Sequence, residues 1–443
     1  MQERDTIFAL STAAGRAGVA VIRVSGPRAP AIAERLAGFM PLPRQAARAT
    51  LRHPATGDVL DDGLVLSFPR PRSFTGEDVV EFQIHGSLAV VSALLDALAA
   101  EEGTRPAEPG EFTRRAFHNG KMDLTQVEGL ADLIDATTEA QRRQALRQAG
   151  GALATLYEGW RARLIRIAAH LEVMIDFPDE DVPQETRVRV AGEVGALRDE
   201  IRTHLDDARR GERLRQGVSV VIVGAPNAGK SSLLNLIAQR DAAIVSEIAG
   251  TTRDAIEVHL DLAGYPVTLV DTAGLRETDD LIEAEGVRRT RARAEQADIR
   301  VLLCDATAGR PWKETFVGLG AAPDLVVLNK MDCPGARGAP GALSISCKTG
   351  EGIEVLLARL GSLVGERFGL TEAPALTRAR HRAALAACAA ALDRFLSRDL
   401  ADDVPELAAE DIRFAVTGLG RITGRVDVED LLDVVFRDFC IGK

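Results

Sequence analysis

The segment Gly224-Ala-Pro-Asn-Ala-Gly229-Lys230-Ser231 follows the apolar run VSVVIV and precedes SLLNLIAQ. A strand, a G-x-x-x-x-G-K-S loop and a helix in that order make a phosphate cradle. Glycine lets backbone N–H groups close around a β-phosphate and the helix polarity favours the anion. Lys230 reaches the β- and γ-oxygens, and the Ser231 hydroxyl ligates magnesium. Three further elements follow in the order a guanine-nucleotide switch requires. Gly250-Thr251-Thr252-Arg-Asp offers Thr252 as a second hydroxyl on magnesium. Asp271-Thr272-Ala273-Gly274, after VTLV, offers a carboxylate at a strand end for magnesium and a glycine amide for the γ-phosphate. Asn329-Lys330-Met-Asp332, after LVVL, puts a carboxylate where it accepts from both N1 and N2 of guanine, a donor pair that adenine lacks. Ser346-Cys347-Lys348 then supplies the loop over the base. Four such elements in register imply GTP binding, with Gly224, Asn227, Ala228, Gly229, Lys230, Ser231 and Ser232 as the phosphate loop.

The residue after Gly274 is Leu275, where Ras-like switches carry the glutamine that orients the attacking water. Leucine cannot do that, and no intrinsic arginine finger is evident. The acidic run Glu277, Asp279, Asp280, Glu283 and Glu285 contains the replacement carboxylate. Asn227 offers a side-chain oxygen beside the phosphates, which suits a bound monovalent cation.

Positioning these loops requires strands that deliver them to one place. Strand-like runs alternate with helical ones from 218 to about 365, the signature of a parallel sheet flanked by helices. Upstream, Val19 to Val24, Leu64 to Phe68 and Val79 to Ile84 read as strands and 88–100 as a helix, giving a small α/β domain over 1–118. From about 122 the texture is helical. Leu153, Leu156, Trp160, Leu164, Ile167, Leu171 and Met174 recur at steps of three and four, and proline is absent from 121 to 175, which predicts long helices. After Pro374 the chain is again Ala-, Leu- and Arg-rich. The fold class is α/β plus all-α: an N-terminal α/β domain, a helical domain in two halves (119–215 and 371–443), and an inserted Ras-like P-loop domain at 216–370.

The length of 443 residues, with 46% hydrophobic and 27% charged, excludes a disordered chain. A net charge of −11 lowers the expectation of nucleic-acid binding except through a local patch. Five scattered cysteines contain no C-x-x-C pair and fit a reducing, cytoplasmic setting. No signal peptide or membrane span is expected.

P-N-A-G-K-S-S, A-G-T-T-R-D and D-T-A-G-L-R, with T-G-E-D-V-V-E-F-Q-I-H-G and G-K-M-D-L-T-Q-V-E upstream and the terminal F-C-I-G-K, resemble the MnmE (TrmE) family of tRNA-modification GTPases along essentially the whole chain. The resemblance implies a homodimer whose G domains meet across potassium, held by Asn227, Ser246, Ile248 and Thr251, with magnesium on Ser231 and Thr252. It brings Glu247, Ala249 and Gly250 into the nucleotide site and makes Glu283 the catalytic glutamate. It also implies a tetrahydrofolate derivative (5,10-methylene or 5-formyl) in the N-terminal domain, touched by Arg23, Glu81, Lys121 and Lys443. Cys440 is either a nucleophile towards C6 of uridine or a packing residue; nothing nearby in sequence is placed to lower its pKa, which favours packing. An FAD-dependent partner of the MnmG (GidA) family, in a heterotetramer or larger assembly, and tRNA complete the implied system. Its product is a carboxymethylaminomethyl or aminomethyl group on C5 of the wobble uridine. Ser-Cys-Lys stands where the family usually has Ser-Ala-Lys or Ser-Ala-Arg.

A ribosome-assembly GTPase of the Era/EngA kind would carry a similar P-loop, but the C-terminal region lacks the G-x-x-G loop of a KH module and there is no second P-loop. A folate enzyme carrying a regulatory GTPase is a third class. The basic residues bear on the site candidates Lys121 and Lys443: of 54 in all, only Lys121, Lys230, Lys313, Lys330, Lys348 and Lys443 are lysine. Five of the six fall on motifs named above. A background drifting towards arginine has kept lysine where a compact ammonium is hard to replace by a guanidinium fork.

Overall fold

The computed structural model describes residues 5–176, 184–240, 243, 257–271, 296–308, 322–369, 373–398, 405–426, 432, 435–436, 439 and 441–442. They fall into two compact units, one drawn from 1–131, 157–161 and 419–443, the other from 132–156 and 162–418.

The first unit is built on β1 (Thr6–Leu10), β2 (Ala17–Ser25), β3 (Ala47–Arg52), β4 (Val59–Phe68), β5 (Val79–Gly86) and β6 (Thr104–Pro106), in the order β3-β4-β5-β2-β1-β6. All pairings are antiparallel except β6 on β1. Alternation decides which face is buried. Ile22 and Val24 of β2 and Val80, Phe82 and Ile84 of β5 point into a core closed by Ile32 and Leu36 of α1 (Ala29–Ala37) and Leu94 and Leu98 of α2 (Leu88–Ala99). Burying each such side chain contributes roughly 1.5–3 kcal/mol. Arg23 and Glu81, opposite one another in the β2–β5 register, are on the other face. Behind them α3 (Glu111–His118) carries Arg115, 1% exposed, which bonds Glu111 at 2.9 Å, Glu77 at 3.1 Å and the Asp5 carbonyl at 2.9 Å. Leu124 and Val127 of α4 (Leu124–Asp135) cluster with Leu432, Phe436 and Phe439, fixing the C-terminal segment on this unit.

In the second unit, α5 (Glu139–Ala149), α6 (Ala152–Asp176), α7 (Gln184–Leu205) and α8 (Arg210–Gln216) lead into β7 (Val218–Val223). The long helices expected here are interrupted at Gly150–Gly151, where Gly151 takes φ +88° and ends α5's run. After β7 come α9 (Lys230–Ala238), β8 (Glu257–Leu262), β9 (Tyr265–Asp271), β10 (Ile299–Asp305), β11 (Leu325–Asn329), β12 (Leu343–Ser344) and α10 (Ile353–Phe368), then α11 (Ala379–Ser397) and α12 (Pro405–Thr423). The sheet order is β12-β11-β10-β7-β9-β8. It is parallel as the sequence predicts, except that β8 pairs antiparallel with β9 through the two-residue turn Ala263–Gly264. The central strands are continuous apolar runs because both faces are covered: Val220, Ile222, Val301 and Leu303 pack on one side, Val221, Val223, Leu302 and Cys304 on the other. One carboxylate holds the two chain segments that flank this sheet. Asp132 Oδ1 accepts from Arg215 Nε at 3.1 Å and from Arg378 Nη2 at 2.8 Å. No helix of the described residues is long and apolar enough to cross a membrane.

Candidate nucleotide and ligand sites

The phosphate loop leaves the C-terminal end of β7 and closes on the first turn of α9. Gly224 passes so near β10 that a Cβ there would lie 2.2 Å from the Leu303 carbonyl oxygen. Gly229 caps α9 with φ +99°, and its Cβ would lie 2.3 Å from Asn329 Nδ2. Only glycine tolerates both the left-handed backbone and the close approach. Asn227 also takes a left-handed conformation, φ +63°, with its side chain exposed. Lys230 Nζ donates to the carbonyls of Gly224 at 2.9 Å and Ala225 at 3.0 Å, folding the ammonium over the loop. Ser231 and Ser232 lie in the first helical turn, and both are exposed. The register of β9 sets Asp271 beside Ile222, two residues before the loop begins. That register brings the C-terminal ends of β7 and β9 side by side, and the Ser231 hydroxyl is a hard oxygen donor of the kind magnesium takes.

The base side is tied to the phosphate side by one buried residue. Asn329, 2% exposed, donates from Nδ2 to the Ala228 carbonyl at 2.9 Å and accepts at Oδ1 from the Cys347 N–H at 3.0 Å. Both loops are thereby held to the end of β11. Ser346 Oγ donates to Asp332 Oδ1 at 2.7 Å; that bond, with the nearby Lys348 charge, holds the carboxyl below its ordinary range. Ser346 Oγ also accepts from the Thr349 N–H at 3.1 Å. Lys330, at φ +67°, donates to Asp305 Oδ2 at 2.6 Å. Desolvation pushes the Asp305 carboxyl upward, but the bonds from Lys330 and Thr307 outweigh it and hold the group ionised. Burial pushes the Cys347 thiol up to about 11.

In the first unit Arg23 donates from Nε to Glu81 Oε1 at 2.9 Å, and its Nη2 is also 2.9 Å from Oε1. The guanidinium carbon lies 5.3 Å from the Phe74 ring centre and 5.7 Å from that of Phe112. Lys121 bonds to the same 69–76 loop, its Nζ donating to the Pro71 carbonyl at 2.8 Å. The tail reaches β1: Ser11 Oγ donates to the Gly442 carbonyl at 3.0 Å and Ile441 bridges to Pro109. Arg23 and Glu81 are therefore in contact, and Gly442, the residue before Lys443, lies one strand away at the end of β1.

A family model described as the MnmE helical domain matches residues 124–440, and one described as the GTP-binding protein TrmE N-terminus matches 6–121. The tRNA modification GTPase MnmE of Parvibaculum lavamentivorans is 58% identical, covering 99% of this chain and 100% of its own. The chain belongs to the MnmE family. The MnmE protein of Rhodospirillum rubrum is 56% identical, with 99% of each chain covered. A relative from Danio rerio, described as a mitochondrial 5-taurinomethyluridine-[tRNA] synthase subunit, is 48% identical over 99% of this chain and 93% of its own.

Several residues that the MnmE resemblance singles out lie outside the described residues: Ser246, Glu247, Ile248, Ala249, Gly250, Thr251 and Thr252 of the first switch, Thr272, Ala273, Gly274 and Glu283 of the second, and Cys440 and Lys443 of the tail. Sequence reasoning did not anticipate Phe74, Phe112, Asp305 or Asp132. Asp305 had a readable signal, an acid at the end of the apolar run VLLC; the two phenylalanines had none, because only the strand order brings them to Arg23.

Proposed function

We propose that this chain is a GTP hydrolase of tRNA modification, a homodimer that works with an FAD-dependent MnmG-type partner to build an aminomethyl or carboxymethylaminomethyl group on C5 of the wobble uridine. The observation that carries the GTPase half is Asn329, whose two bonds hold the phosphate loop and the guanine loop as a single site. Guanine is selected because Asp332, kept ionised, accepts from N1–H and N2–H together. Ser231, Asp271 and Thr252 are the oxygen donors for magnesium, and Asn227, Ser246, Ile248 and Thr251 those for potassium; bound there, the two ions supply positive charge to the transferring phosphoryl group. Glu283 orients the attacking water in place of the missing glutamine.

The name of the Danio rerio relative supports a uridine target, since it denotes a uridine carrying a methylene-linked amine. A one-carbon carrier fits the first unit. The Glu81 carboxylate, which accepts from Arg23 Nε at Oε1, also suits a ring N–H of the carrier, and Phe74 and Phe112 line the guanidinium. Lys121 and Lys443 are the cations for the carrier's carboxylates. The domain boundaries 1–118, 119–215, 216–370 and 371–443 belong to the same reading, as does a cytoplasmic location. Nucleoside analysis of tRNA from cells lacking the protein tests it: wobble uridines bare at C5 are expected, and an unchanged nucleoside profile would overturn the reading. In vitro, GTP turnover is expected to fall when sodium replaces potassium, and Asn227→Ala to remove that difference.

A further inference from the structure

We propose that the exposed loop segment 70–72, with Arg44 and Lys121 on its flanks, is a docking surface for the phosphodiester backbone of tRNA; this rests on the tRNA reading above. Several arginines of this unit are paired with acid, Arg23 with Glu81, Arg35 with Glu101, Arg48 with Asp62, Arg105 and Arg115 with Glu111, while Arg52 bonds to the Gly57 carbonyl at 3.1 Å. Arg44, Arg70, Arg72 and Lys121 differ in being gathered on one loop and its flanks. All four are exposed, and none has a carboxylate partner among the described residues. Asp78, the acid bonded to this loop, accepts from the Arg70 backbone N–H at 3.0 Å and from none of the guanidinium groups.

The cations are brought together by backbone chemistry. Arg44 Nη2 donates to the Arg72 carbonyl, and Lys121 Nζ to the Pro71 carbonyl at 2.8 Å. Arg44 itself is fixed by its N–H on the Ser67 carbonyl at 2.9 Å and lies over the Phe68 ring at 5.8 Å. Asn119 Nδ2 holds the far end of the loop at the Thr75 carbonyl, 2.7 Å away. Like charges gathered on an anchored loop, where Asp78 bonds to backbone and not to a guanidinium, raise the local potential even though the whole chain carries −11. Exposed guanidinium forks suit a row of phosphates, each able to take one fork. Leu42, 65% exposed in the same 41–45 segment, adds an apolar surface for a sugar or base face. Phe74 of the same loop lies against Arg23, so RNA seated here lies next to the proposed carrier site.

The test is anisotropy titration of the full-length protein with a labelled tRNA transcript bearing a wobble uridine, repeated across salt concentrations. Arg44→Gln/Arg70→Gln/Arg72→Gln is expected to weaken binding about tenfold or more and to flatten the slope of log K against log salt by about two, since each phosphate that is no longer neutralised keeps its counterion. Arg166→Gln/Arg189→Gln, which removes exposed charge elsewhere, should leave the slope unchanged. GTP turnover and melting temperature should stay at the wild-type values in both variants. Equal slopes in wild type and triple variant, or equal losses of affinity in the two variants, would overturn the patch while leaving the tRNA reading intact. Competition by poly-glutamate as effective as by unlabelled tRNA would also overturn it, in favour of a carboxylate ligand. Absence of tRNA binding by the wild-type protein would overturn both.

Discussion

On the N-terminal sheet Arg23 and Glu81 stand opposite each other on neighbouring antiparallel strands and neutralise one another at 2.9 Å, with 20% and 17% of their side chains exposed. On the parallel sheet the chemistry stands beyond the strand ends: Lys230 folds over loop carbonyls, and Asn329 reaches from β11 to two other loops. The contrast follows from strand direction. Parallel strands deliver every C-terminal end to the same edge, so loops far apart in the chain meet there and backbone groups make the site. An antiparallel sheet alternates its ends, leaving a face as the place where side chains from several strands converge. Ligand binding on the first sheet must therefore work around an existing ion pair. On the second it must fit between loops already held at a fixed separation.

If that contrast is right, the parallel-sheet site is the more brittle of the two, and Gly229→Ala should show the largest effect. The added methyl meets Asn329 Nδ2 at 2.3 Å in a backbone of φ +99°, and Asn329 cannot retreat without breaking its bonds to Ala228 and Cys347. Calorimetric titration with GDP should show affinity lower by about 10³-fold, roughly 4 kcal/mol from strain and loop displacement together. Affinity within tenfold of wild type would mean the two loops are not rigidly tied. Next in size is Asp332→Asn. Replacing the carboxylate weakens two charge-assisted bonds to guanine and should cost about 10²-fold in GTP affinity. Affinity for xanthosine triphosphate should rise, because the new amide N–H faces a carbonyl where guanine has an amine. An unaltered base preference would place guanine selection elsewhere.

A smaller effect is expected from Arg23→Ala on the antiparallel face. Loss of the partly exposed pair should lower stability by about 1 kcal/mol and folate affinity about tenfold, with GTP binding unchanged. A variant that binds folate normally would show that Glu81 alone, or neither residue, meets the ligand.

The same contrast explains which parts of the molecule are legible in the chain alone. Gly224, Lys230, Asp271, Asn329 and Ser346 are readable because each loop immediately follows its strand, so chain order is spatial order. The alternation of Val80, Phe82 and Ile84 likewise discloses a half-buried strand. Arg23 and Glu81 are different. They are 58 positions apart, their meeting depends on β5 inserting next to β2, and no spacing rule encodes that neighbour. They enter through the family resemblance, as do Lys121 and Lys443. The antiparallel edge strand β8 escapes a sequence reading because the turn Ala263–Gly264 that creates it interrupts what reads as an alternating strand–helix pattern. Asn119 is one of four asparagines in the chain, and its bond to the Thr75 carbonyl gives it a task in holding the 69–76 loop.

The smallest effect concerns the thiol in the guanine loop, and it reports how tightly that loop is packed. Cys347 is half-buried; desolvation raises its pKa to about 11, the bond to Asn329 opposes this and the Asp332 charge reinforces it. At pH 8 only about one thiol in 10³ is then ionised, so iodoacetamide should label Cys347 slowly, with a rate still rising through pH 10 by nearly tenfold per unit. Asp332→Asn removes a raising charge and should move the profile to slightly lower pH, which links the thiol to the guanine carboxylate through one measurable shift. Peptide mapping separates Cys347 from Cys333. A labelling rate that levels off below pH 9 would mean that the loop opens to water, and that the rigid tether through Asn329, on which the contrast between the two sheets depends, is intermittent.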